Sequence, residues 1–316
     1  MKVLLTPTSL RPDTRNEALE QLKNEADELV FNPYGRPLTE DELIVLLADC
    51  DGFIAGLDPV TENVLKAAKK LKVVSRYGAG VDRVDIFAAT ALGIKVTNTP
   101  GVNAQAVAEL ALGLMFGLAR SLPFADRQVK SGYWPRLNGM ELRGKTVGLI
   151  GLGAIGRALA TMCRGIGMHV IAYDPFIDEN WCVDHEVRSI AFDELLSTSD
   201  IISLHLPHTE TTHHIIGAEA LRKMKKGALL INTSRGGLID EGAAYEALTS
   251  GHLRGMALDA YEVEPPEVSE LILLDQVITV PHTGAHTDEA KAGMATLAIE
   301  NCLQILRGEA CAYTIN

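Results

Sequence analysis

Residues Lys145–Gly156 read KTVGLIGLGAIG, an apolar run of strand type that leads into three glycines spaced Gly-x-Gly-x-x-Gly. A stretch with helical spacing follows, as far as Arg164. In a strand–turn–helix unit, Gly151 permits the tight turn, Gly153 lets the backbone approach a pyrophosphate, and Gly156 lets the helix pack closely on the strand. The pyrophosphate then lies at the positive end of the helix. This stretch therefore predicts a dinucleotide-binding unit.

An acidic residue follows at the spacing expected for contact with the ribose of such a nucleotide. Asp174 ends the next apolar run and lies 18 residues after Gly156, close to the spacing of about 20 known for carboxylates that bind the ribose hydroxyls. A carboxylate repels a 2′-phosphate, and no Arg follows to neutralise it, so NAD is favoured over NADP. The alternative is that Asp174 only starts a turn before Pro175.

The same alternation of strands and helices runs along the whole chain. Apolar runs rich in β-branched residues predict strands at Val3–Leu5, Gly52–Ala55, Val73–Ser75, Thr146–Ile150, Val170–Ala172, Ile201–Leu204, Leu229–Ile231, Met256–Leu258 and Val277–Val280. Helical spacing lies between many of them, at Glu17–Asp27, Thr61–Lys69, Ile155–Ile166 and Glu241–Leu248. Continuous apolar strands separated by helices indicate parallel sheets covered on both faces. We therefore predict an α/β fold, and the 316 residues favour two domains.

Composition and charge exclude several classes of protein. Hydrophobic residues make up 47% and charged residues 22% of the chain, as in ordinary globular proteins and unlike disordered or fibrous ones. The formal net charge of −12 disfavours nucleic acid and anionic membranes as partners. The longest apolar run, Leu110–Ala119, is far shorter than the roughly 20 residues that a bilayer requires. A small anionic substrate stays compatible with this charge, because a local cluster of arginines can reverse it inside one cleft.

The cysteines and the N-terminus favour a cytoplasmic protein. The first residues show no signal-peptide cleavage site and are typical of a buried strand. The five cysteines are scattered without C-x-x-C spacing, which argues for a reducing compartment and against a disulfide framework or a zinc site. The histidines show no metal-ligand spacing either, so we expect no metal.

One helical segment, Asn103–Arg120, is apolar or small around nearly its whole circumference. Such a helix must be buried on all sides. Packing against a second subunit achieves this, and so does burial between two domains of one chain. Both hold together if the helix links the domains and also lies in a dimer interface, so we expect a homodimer.

Three polar clusters follow later strands at their predicted carboxyl ends, where open α/β sheets bind ligands. They contain Arg235, Glu264 and His282. Arg235 can hold a carboxylate with its planar fork and polarise the adjacent carbonyl oxygen. His282 can give a proton to that oxygen and take it back, while Glu264 orients the imidazole and stabilises its protonated form. These residue types suit hydride transfer on a 2-hydroxy or 2-oxo acid. Taken singly, each residue also fits a purely structural role, as a surface arginine, one acid among several, or a strand-end cap.

Over almost its whole length the chain resembles the NAD-dependent D-2-hydroxyacid dehydrogenases. The markers are Gly151–Gly156 with Asp174, Ser203–Pro207, Asn232–Gly237, Asp259 with Glu264–Pro266, and Pro281–Ala285. The resemblance implies that Arg235, Glu264 and His282 are the catalytic trio. It also implies cofactor contacts by Gly151, Gly153, Ala154, Ile155, Gly156, Asp174, Leu206, Pro207, Thr212, Thr233, Ser234, Asp259 and Gly284.

The resemblance also implies the architecture. Residues 1–97 and 287–316 are expected to form a flavodoxin-like substrate domain, with a Rossmann NAD domain, residues 98–286, inserted in it. Both are doubly wound parallel sheets, and members of the family are usually dimers through the NAD domain. Because the chain ends at Asn316, we expect no carboxy-terminal regulatory domain.

Within the family, the nearest similarity is to the short phosphoglycerate dehydrogenases. Residues 75–82, SRYGAGVD, resemble their substrate loop, whose backbone amides bind the carboxylate. The resemblance implies substrate contacts by Arg76, Tyr77, Gly78, Ala79 and Gly80. Arg136 is a candidate phosphate contact that reaches from the partner subunit. The phosphate-binding arginine often found after the third strand is replaced here by the sequence AGLD at residues 55–58. The substrate loop and Arg136 lead us to expect 3-phosphoglycerate as substrate, whereas the missing arginine favours an unphosphorylated acid. The alternatives are a glyoxylate/hydroxypyruvate reductase or another small D-2-hydroxyacid dehydrogenase and, in a different class, a NAD-sensing regulator without catalysis.

Overall fold

The computed structural model describes the whole chain, residues 1–316, as two compact units. The first unit consists of Met1–Asn103 and His286–Asn316, and the second is Ala104–Ala285. The sequence prediction divides the chain at 97/98 and 286/287, so the structure assigns residues 98–103 and His286 to the first unit instead.

Hydrogen bonds explain why the first boundary lies later than predicted. The Thr99 N–H donates to the Gly78 carbonyl at 3.0 Å, and the Asn98 carbonyl accepts from the Asn301 side chain at 3.0 Å. The next helix begins only at Ala104. Residues 98 and 99 are therefore bonded to the first unit rather than to the second.

The first unit is a five-stranded parallel sheet in the order β2-β1-β3-β4-β5. This is the doubly wound order of flavodoxin-like domains. Its elements are β1 (Lys2–Leu5), α1 (Glu17–Glu25), β2 (Glu28–Phe31), α2 (Glu40–Leu47), β3 (Gly52–Ala55), α3 (Glu62–Ala67), β4 (Val73–Arg76), α4 (Ile86–Ala91), β5 (Lys95–Thr97) and α12 (Asp288–Leu306).

The C-terminal helix α12 completes the core of the first unit. Ala298 and Cys302 are fully buried in a cluster with Val3 and Ile54. The buried Ser75 hydroxyl donates to the Ala298 carbonyl at 2.7 Å. The last residues of the chain are therefore part of the sheet domain that its first residues build.

The second unit is a seven-stranded parallel sheet in the order β12-β11-β10-β9-β6-β7-β8. It extends the Rossmann order by one strand, with the change of direction between β6 and β9. Its elements are α5 (Ala104–Ala119), α6 (Leu122–Lys130), β6 (Thr146–Ile150), α7 (Ala154–Gly165), β7 (His169–Tyr173), α8 (Glu179–Asp184), β8 (Arg188–Ser189), α9 (Phe192–Thr198), β9 (Ile201–Leu204), α10 (Ala218–Lys223), β10 (Ala228–Asn232), α11 (Glu241–Thr249), β11 (Leu253–Leu258) and β12 (Val277–Thr279).

Alternate residues of the central strands enter two separate cores, one on each face of the sheet. Ile201 and Ile231 pack with α5 and α7 on one face, while Ile202 and Leu230 join the cluster on the other. Side chains of a strand alternate between the two faces, so a continuous apolar strand requires cover on both. The predicted α/β class with two doubly wound parallel sheets is confirmed.

Helix α5 is covered largely within its own unit. Ala108, Ala111 and Met115 are fully buried against α7 and the sheet, whereas Phe116 remains 40% exposed.

No single helix is long and apolar enough to span a membrane; α5 and α6 reach that length and composition only together, across a 60° bend. All five cysteines are free thiols.

Candidate active site

The three glycines of the turn after β6 have three different environments. Gly151 has a φ of +100°, and a Cβ there would lie 2.6 Å from the His205 carbonyl. A Cβ on Gly156 would lie 2.3 Å from the Gly151 oxygen, whereas one on Gly153 would meet nothing within 4 Å. The turn and the close helix packing thus exclude side chains at the first and third glycines, while open space lies in front of the second.

The start of α7 is open to an anion. Its N-cap, Gly153, offers no side-chain acceptor to the first helical N–H groups, and Gly153 and Ala154 are exposed. Free N–H groups and the helix dipole favour a phosphate group at such a position. Asp174 lies beside the same turn, where its Oδ2 accepts the Leu152 N–H at 2.7 Å.

Beside the glycine turn, at the carboxyl ends of β9 and β10, two buried polar atoms have no hydrogen-bond partner within the chain: Thr233 Oγ1 after β10 and His205 Nδ1 after β9. These positions follow the paired residues Leu204 and Asn232 of neighbouring strands. Leaving such an atom unsatisfied costs about 1–3 kcal/mol. A ligand with amide and hydroxyl groups removes that cost, so these residues and the glycine turn fit a nicotinamide dinucleotide.

Asp259 organises the loop after β12. Its carboxylate is 2% exposed and accepts the Thr283 N–H at 2.6 Å and the Gly284 N–H at 2.8 Å. Burial raises the pKa of this carboxyl, against the opposite effect of the two N–H groups. Asp259 therefore fixes the backbone next to the predicted proton donor, His282.

Glu264 and His282 form a hydrogen-bonded pair at the ends of β11 and β12. The His282 Nδ1 lies 2.9 Å from Glu264 Oε1 and 3.0 Å from Oε2. The carboxylate accepts there, so Nδ1 carries a proton and Nε2 is the nitrogen left for proton exchange. The side chains are 31% and 17% exposed, respectively, so the imidazole remains accessible.

Tyr261, which the sequence analysis does not single out, holds this pair. Its N–H donates to Glu264 Oε1 at 3.2 Å, and its buried hydroxyl donates to the Val280 carbonyl at 2.8 Å. That carbonyl also accepts the His282 N–H at 3.0 Å. Tyr261 lies in the polar segment after β11, between Ala260 and Glu262, and nothing in the spacing signals this support.

Arg235 projects from the loop after β10. Its guanidinium is half-buried and donates to the Ser234 carbonyl at 2.8 Å, while its own carbonyl accepts from the Asn232 side chain at 2.8 Å. The next residue, Gly236, lies so close to the Tyr261 backbone that a Cβ would be 1.8 Å from the Tyr261 carbonyl carbon. This contact joins the Arg235 loop to the segment that leads to Glu264.

All thirteen predicted cofactor residues lie in the second unit, within or beyond the carboxyl ends of its strands. The loop after β9 is shaped by Thr212, whose hydroxyl donates to the Pro207 carbonyl at 2.8 Å.

Burial lowers the pKa of His205 to about 4, so this ring is neutral at pH 7. No group of three or more His, Cys, Asp or Glu side chains is placed to hold a metal ion.

Comparison with known proteins decides the family. Residues 112–284 match the model described as D-isomer specific 2-hydroxyacid dehydrogenase, NAD binding domain. The chain is 42% identical over 298 residues to the hydroxypyruvate reductase of Thermotoga maritima, covering 91% of this chain and 96% of that protein. The chain belongs to the D-isomer specific 2-hydroxyacid dehydrogenases. The predicted family and its NAD domain are confirmed.

Other members of the 2-hydroxyacid dehydrogenase family are similar over different extents. The chain is 44% identical over 283 residues to a D-3-phosphoglycerate dehydrogenase of Methanocaldococcus jannaschii, covering 88% of this chain but 54% of that protein. It thus spans about half the length of this relative. Among solved structures, a glyoxylate reductase from Paecilomyes thermophila superposes with a TM-score of 0.87 at 30% identity, covering 99% of this chain and 98% of that one.

The loop that resembles the substrate loop of these dehydrogenases lies in the first unit, after β4. Arg76 is 5% exposed, and its Nη1 donates to the carbonyls of Ala55 at 3.0 Å and Tyr77 at 2.8 Å. The Gly78 N–H is bonded to Thr99 Oγ1 at 3.0 Å. Arg76 therefore braces the loop from within, which leaves the backbone of Ala79 and Gly80 as its accessible part.

Arg136, the predicted phosphate contact, lies in the second unit in the segment after α6. Residues 131–139 are all exposed. The structure thus places the Arg76–Gly80 loop in one unit and the predicted catalytic trio with Arg136 in the other.

Proposed function

We propose that this dehydrogenase transfers a hydride between NAD(H) and a D-2-hydroxy or 2-oxo acid. The observation that carries the proposal is the Glu264–His282 pair, with Nδ1 2.9 Å from Oε1, at the same sheet edge as Arg235 and the glycine turn. A carboxylate-backed imidazole is a general acid and base for a hydroxyl or carbonyl oxygen. The glycine turn and Asp174 supply the complementary site for the nucleotide.

Arg235 binds and polarises the substrate in this mechanism. A guanidinium fork matches a carboxylate with two parallel hydrogen bonds, and one of its N–H groups can also reach the adjacent carbonyl oxygen. Bound NADH supplies the hydride for reduction. The turn around Gly153, with Asp174, would hold the pyrophosphate and ribose, and Thr233 and Asp259 would lie at the nicotinamide end.

His282 moves the proton. During reduction, Nε2–H donates its proton to the substrate oxygen while the carbonyl carbon receives the hydride. The Nδ1–H stays directed at Glu264, which stabilises the imidazolium before the transfer and fixes the neutral tautomer after it. In the oxidative direction the neutral Nε2 takes the proton back from the hydroxyl group.

A panel of 2-oxo acids tests the activity directly. We expect NADH absorbance to fall with at least one of 3-phosphohydroxypyruvate, hydroxypyruvate, glyoxylate and pyruvate, and to fall more slowly with NADPH. Tight NADH binding without turnover of any 2-oxo acid contradicts the proposal and favours a NAD-sensing regulator instead.

We propose 3-phosphoglycerate as the first candidate substrate in the oxidative direction. The support is the similarity of residues 75–82 to the substrate loop of phosphoglycerate dehydrogenases and the 44% identity to the Methanocaldococcus jannaschii enzyme of that name. Arg136 then serves as a cation for the phosphate.

One observation favours a second candidate, an unphosphorylated acid such as hydroxypyruvate or glyoxylate. Asp58 is 1% exposed and accepts N–H groups of Leu38 at 2.7 Å and Gly56 at 3.0 Å, and the Thr6 hydroxyl. A buried carboxylate at the end of β3 disfavours a phosphate nearby. A higher kcat/KM for hydroxypyruvate than for 3-phosphohydroxypyruvate decides for this candidate, and the reverse order decides for the first.

We also propose that the protein is a homodimer through the second unit. Helix α6 has no buried residue, and the segment after it exposes Tyr133 at 65% and Trp134 at 75%. Large aromatic side chains of this kind are enriched in interfaces. The occupant we expect is a second copy of this chain.

A further inference from the structure

Arg157, the residue after the third glycine, folds its side chain back onto the glycine turn. Its Nε donates to the Leu152 carbonyl at 3.1 Å. The N–H of the same residue, Leu152, donates to Asp174 Oδ2 at 2.7 Å. Both main-chain polar groups of Leu152 are therefore held, one by the ribose-binding acid and one by Arg157.

The guanidinium of Arg157 is itself held from the other side. Its Nη2 donates to Asp178 Oδ2 at 3.1 Å, and its centre lies 4.9 Å from the centroid of the Trp181 ring. Asp178 also accepts the Trp181 N–H. This hydrogen bond and the one from Arg157 both lower the pKa of the Asp178 carboxyl. Trp181 in turn stacks on His185 with ring centroids 4.0 Å apart. The start of α8 is thus a support for the arginine.

This arrangement determines where the Gly153 N–H points. The peptide bond between Leu152 and Gly153 is planar and trans, so its N–H and C=O point in opposite directions. With the carbonyl turned toward Arg157, the Gly153 N–H points away from Arg157. Gly153 itself is exposed, and a Cβ there would meet nothing within 4 Å. If the plane of the Leu152–Gly153 peptide rotates, the Gly153 N–H no longer points toward the phosphate site.

We propose that Arg157, supported by Asp178 and Trp181, is a positioning residue for the dinucleotide: it fixes the Leu152–Gly153 peptide with its N–H presented to the pyrophosphate. The proposal rests on the proposed use of NAD. Because Arg157 acts through the backbone of the turn, it affects the affinity for the nucleotide and not the proton transfer at His282.

The test compares Arg157→Gln with Arg164→Gln, which removes the same charge from the same helix two turns further on, where Arg164 pairs with Glu186. The binding of two ligands is measured by calorimetry, first ADP-ribose and then, in a separate titration, NADH. We expect Arg157→Gln to raise the Kd for both ligands about 5- to 30-fold, and Arg164→Gln to change it less than about twofold. We expect the kcat of both variants at saturating NADH to stay within about twofold of wild type. Equal changes in Kd for the two variants overturn the proposal.

Two further variants separate positioning from charge and from folding. Arg157→Lys keeps the charge but not the fork, so we expect it to recover less than half of the lost affinity; full recovery overturns the proposal. Asp178→Asn keeps Arg157 intact and removes its partner, and we expect a two- to fivefold rise in the Kd for ADP-ribose with an unchanged thermal midpoint. If the Kd does not rise, the supporting role of Asp178 is contradicted.

ADP-ribose accepts no hydride, so its binding is measured whether or not the chain turns over a 2-oxo acid. A wild-type chain that binds ADP-ribose but reduces no 2-oxo acid refutes the proposed function alone.

Discussion

His282 has a backbone φ of +51°, in the left-handed region that non-glycine residues seldom adopt. Asparagine tolerates this region best among the ordinary residues, so His282→Asn removes the proton donor with little strain. We expect kcat/KM to fall by about 10²–10⁴-fold, because the carbonyl oxygen then lacks its acid. The Kd for NADH, measured by fluorescence, stays near the wild-type value. Retention of near-normal turnover by this variant excludes His282 as the proton donor.

Arg235 is predicted to depend on the shape of its side chain as well as on its charge. An ammonium group cannot reproduce a planar two-point contact with a carboxylate. We therefore expect Arg235→Lys to lower kcat/KM for the 2-oxo acid by about 10²-fold or more, while NADH binding is unchanged. If steady-state assays show near-normal kcat/KM for the lysine variant, the role given to Arg235 is wrong.

His205 couples stability to pH. Its pKa in the folded chain, about 4, lies below the ordinary value of 6.5 because of burial. Its stabilising contribution is complete above pH 6.5 and is lost as the pH falls toward 4, since the unfolded chain binds the proton first. Between pH 7 and pH 5 we expect the loss to be about 2 kcal/mol. In urea unfolding, we expect the change in the free energy of unfolding between pH 7 and pH 5 to be smaller by that amount for His205→Asn than for wild type. Above pH 7.5 the unfolding free energies of the two proteins are expected to vary with pH in the same way. An unchanged slope between pH 7 and pH 5 contradicts this origin.

At the scale of the element, the β6–turn–α7 unit separates two effects of a single methyl group. Gly156→Ala places a Cβ 2.3 Å from the Gly151 oxygen, so helix and strand must move apart and the thermal midpoint is expected to fall. Gly153→Ala meets nothing within 4 Å, so it is expected to fold like wild type. Its Cβ would enter the space that we propose for the pyrophosphate, and we expect the Kd for NADH to rise at least about tenfold. Equal thermal midpoints for the two variants contradict the assigned roles.

The strength of the pattern decided which elements the sequence could predict. All nine predicted strands exist, and those of the second unit include the fully buried Ile201–Leu204 with unchanged bounds. The missed strands β2, β5 and β8 lie at sheet edges. β2 has no buried residue, and β8 consists of two residues, Arg188 and Ser189. An edge strand has one strand neighbour and less cover, so it can lack the continuous hydrophobic run that predicts a central strand. The edge strand β12 keeps such a run and was predicted.

The candidate site shows the same division between local and distant information. Gly151, Gly153 and Gly156 could be assigned from spacing, because each task lies within one turn of chain. The supports could not: Tyr261 reaches Val280 across neighbouring strands, and Arg157 meets Asp178 from a different helix. Such contacts depend on the order of strands in the sheet, which periodicity does not encode.

For the molecule as a whole, the discontinuous first unit was predictable only from the resemblance. No local pattern indicates that α12 packs beside β3 and β4, more than 200 residues earlier. The structure shows the reason for the return: Ala298, Ile299 and Cys302 are fully buried and complete the cluster around Val3 and Leu5. A sheet domain with one uncovered face exposes apolar side chains to water, so the last helix is required by the first strands.

The exposed aromatic pair of the second unit predicts the assembly state. If Tyr133 and Trp134 lie in a homodimer interface, a charge at the more exposed position must be desolvated on association. We expect Trp134→Asp to weaken the dimer by at least about 2 kcal/mol, or about 30-fold in Kd. Sedimentation equilibrium at micromolar concentration then shows a dimer for wild type and a monomer–dimer mixture for the variant. Phe87→Ser is the matched control, since Phe87 is 91% exposed and lies in the first unit. It is expected to remain dimeric. A monomeric wild-type chain, or a Phe87→Ser variant that dissociates as much as Trp134→Asp, contradicts an interface at this segment.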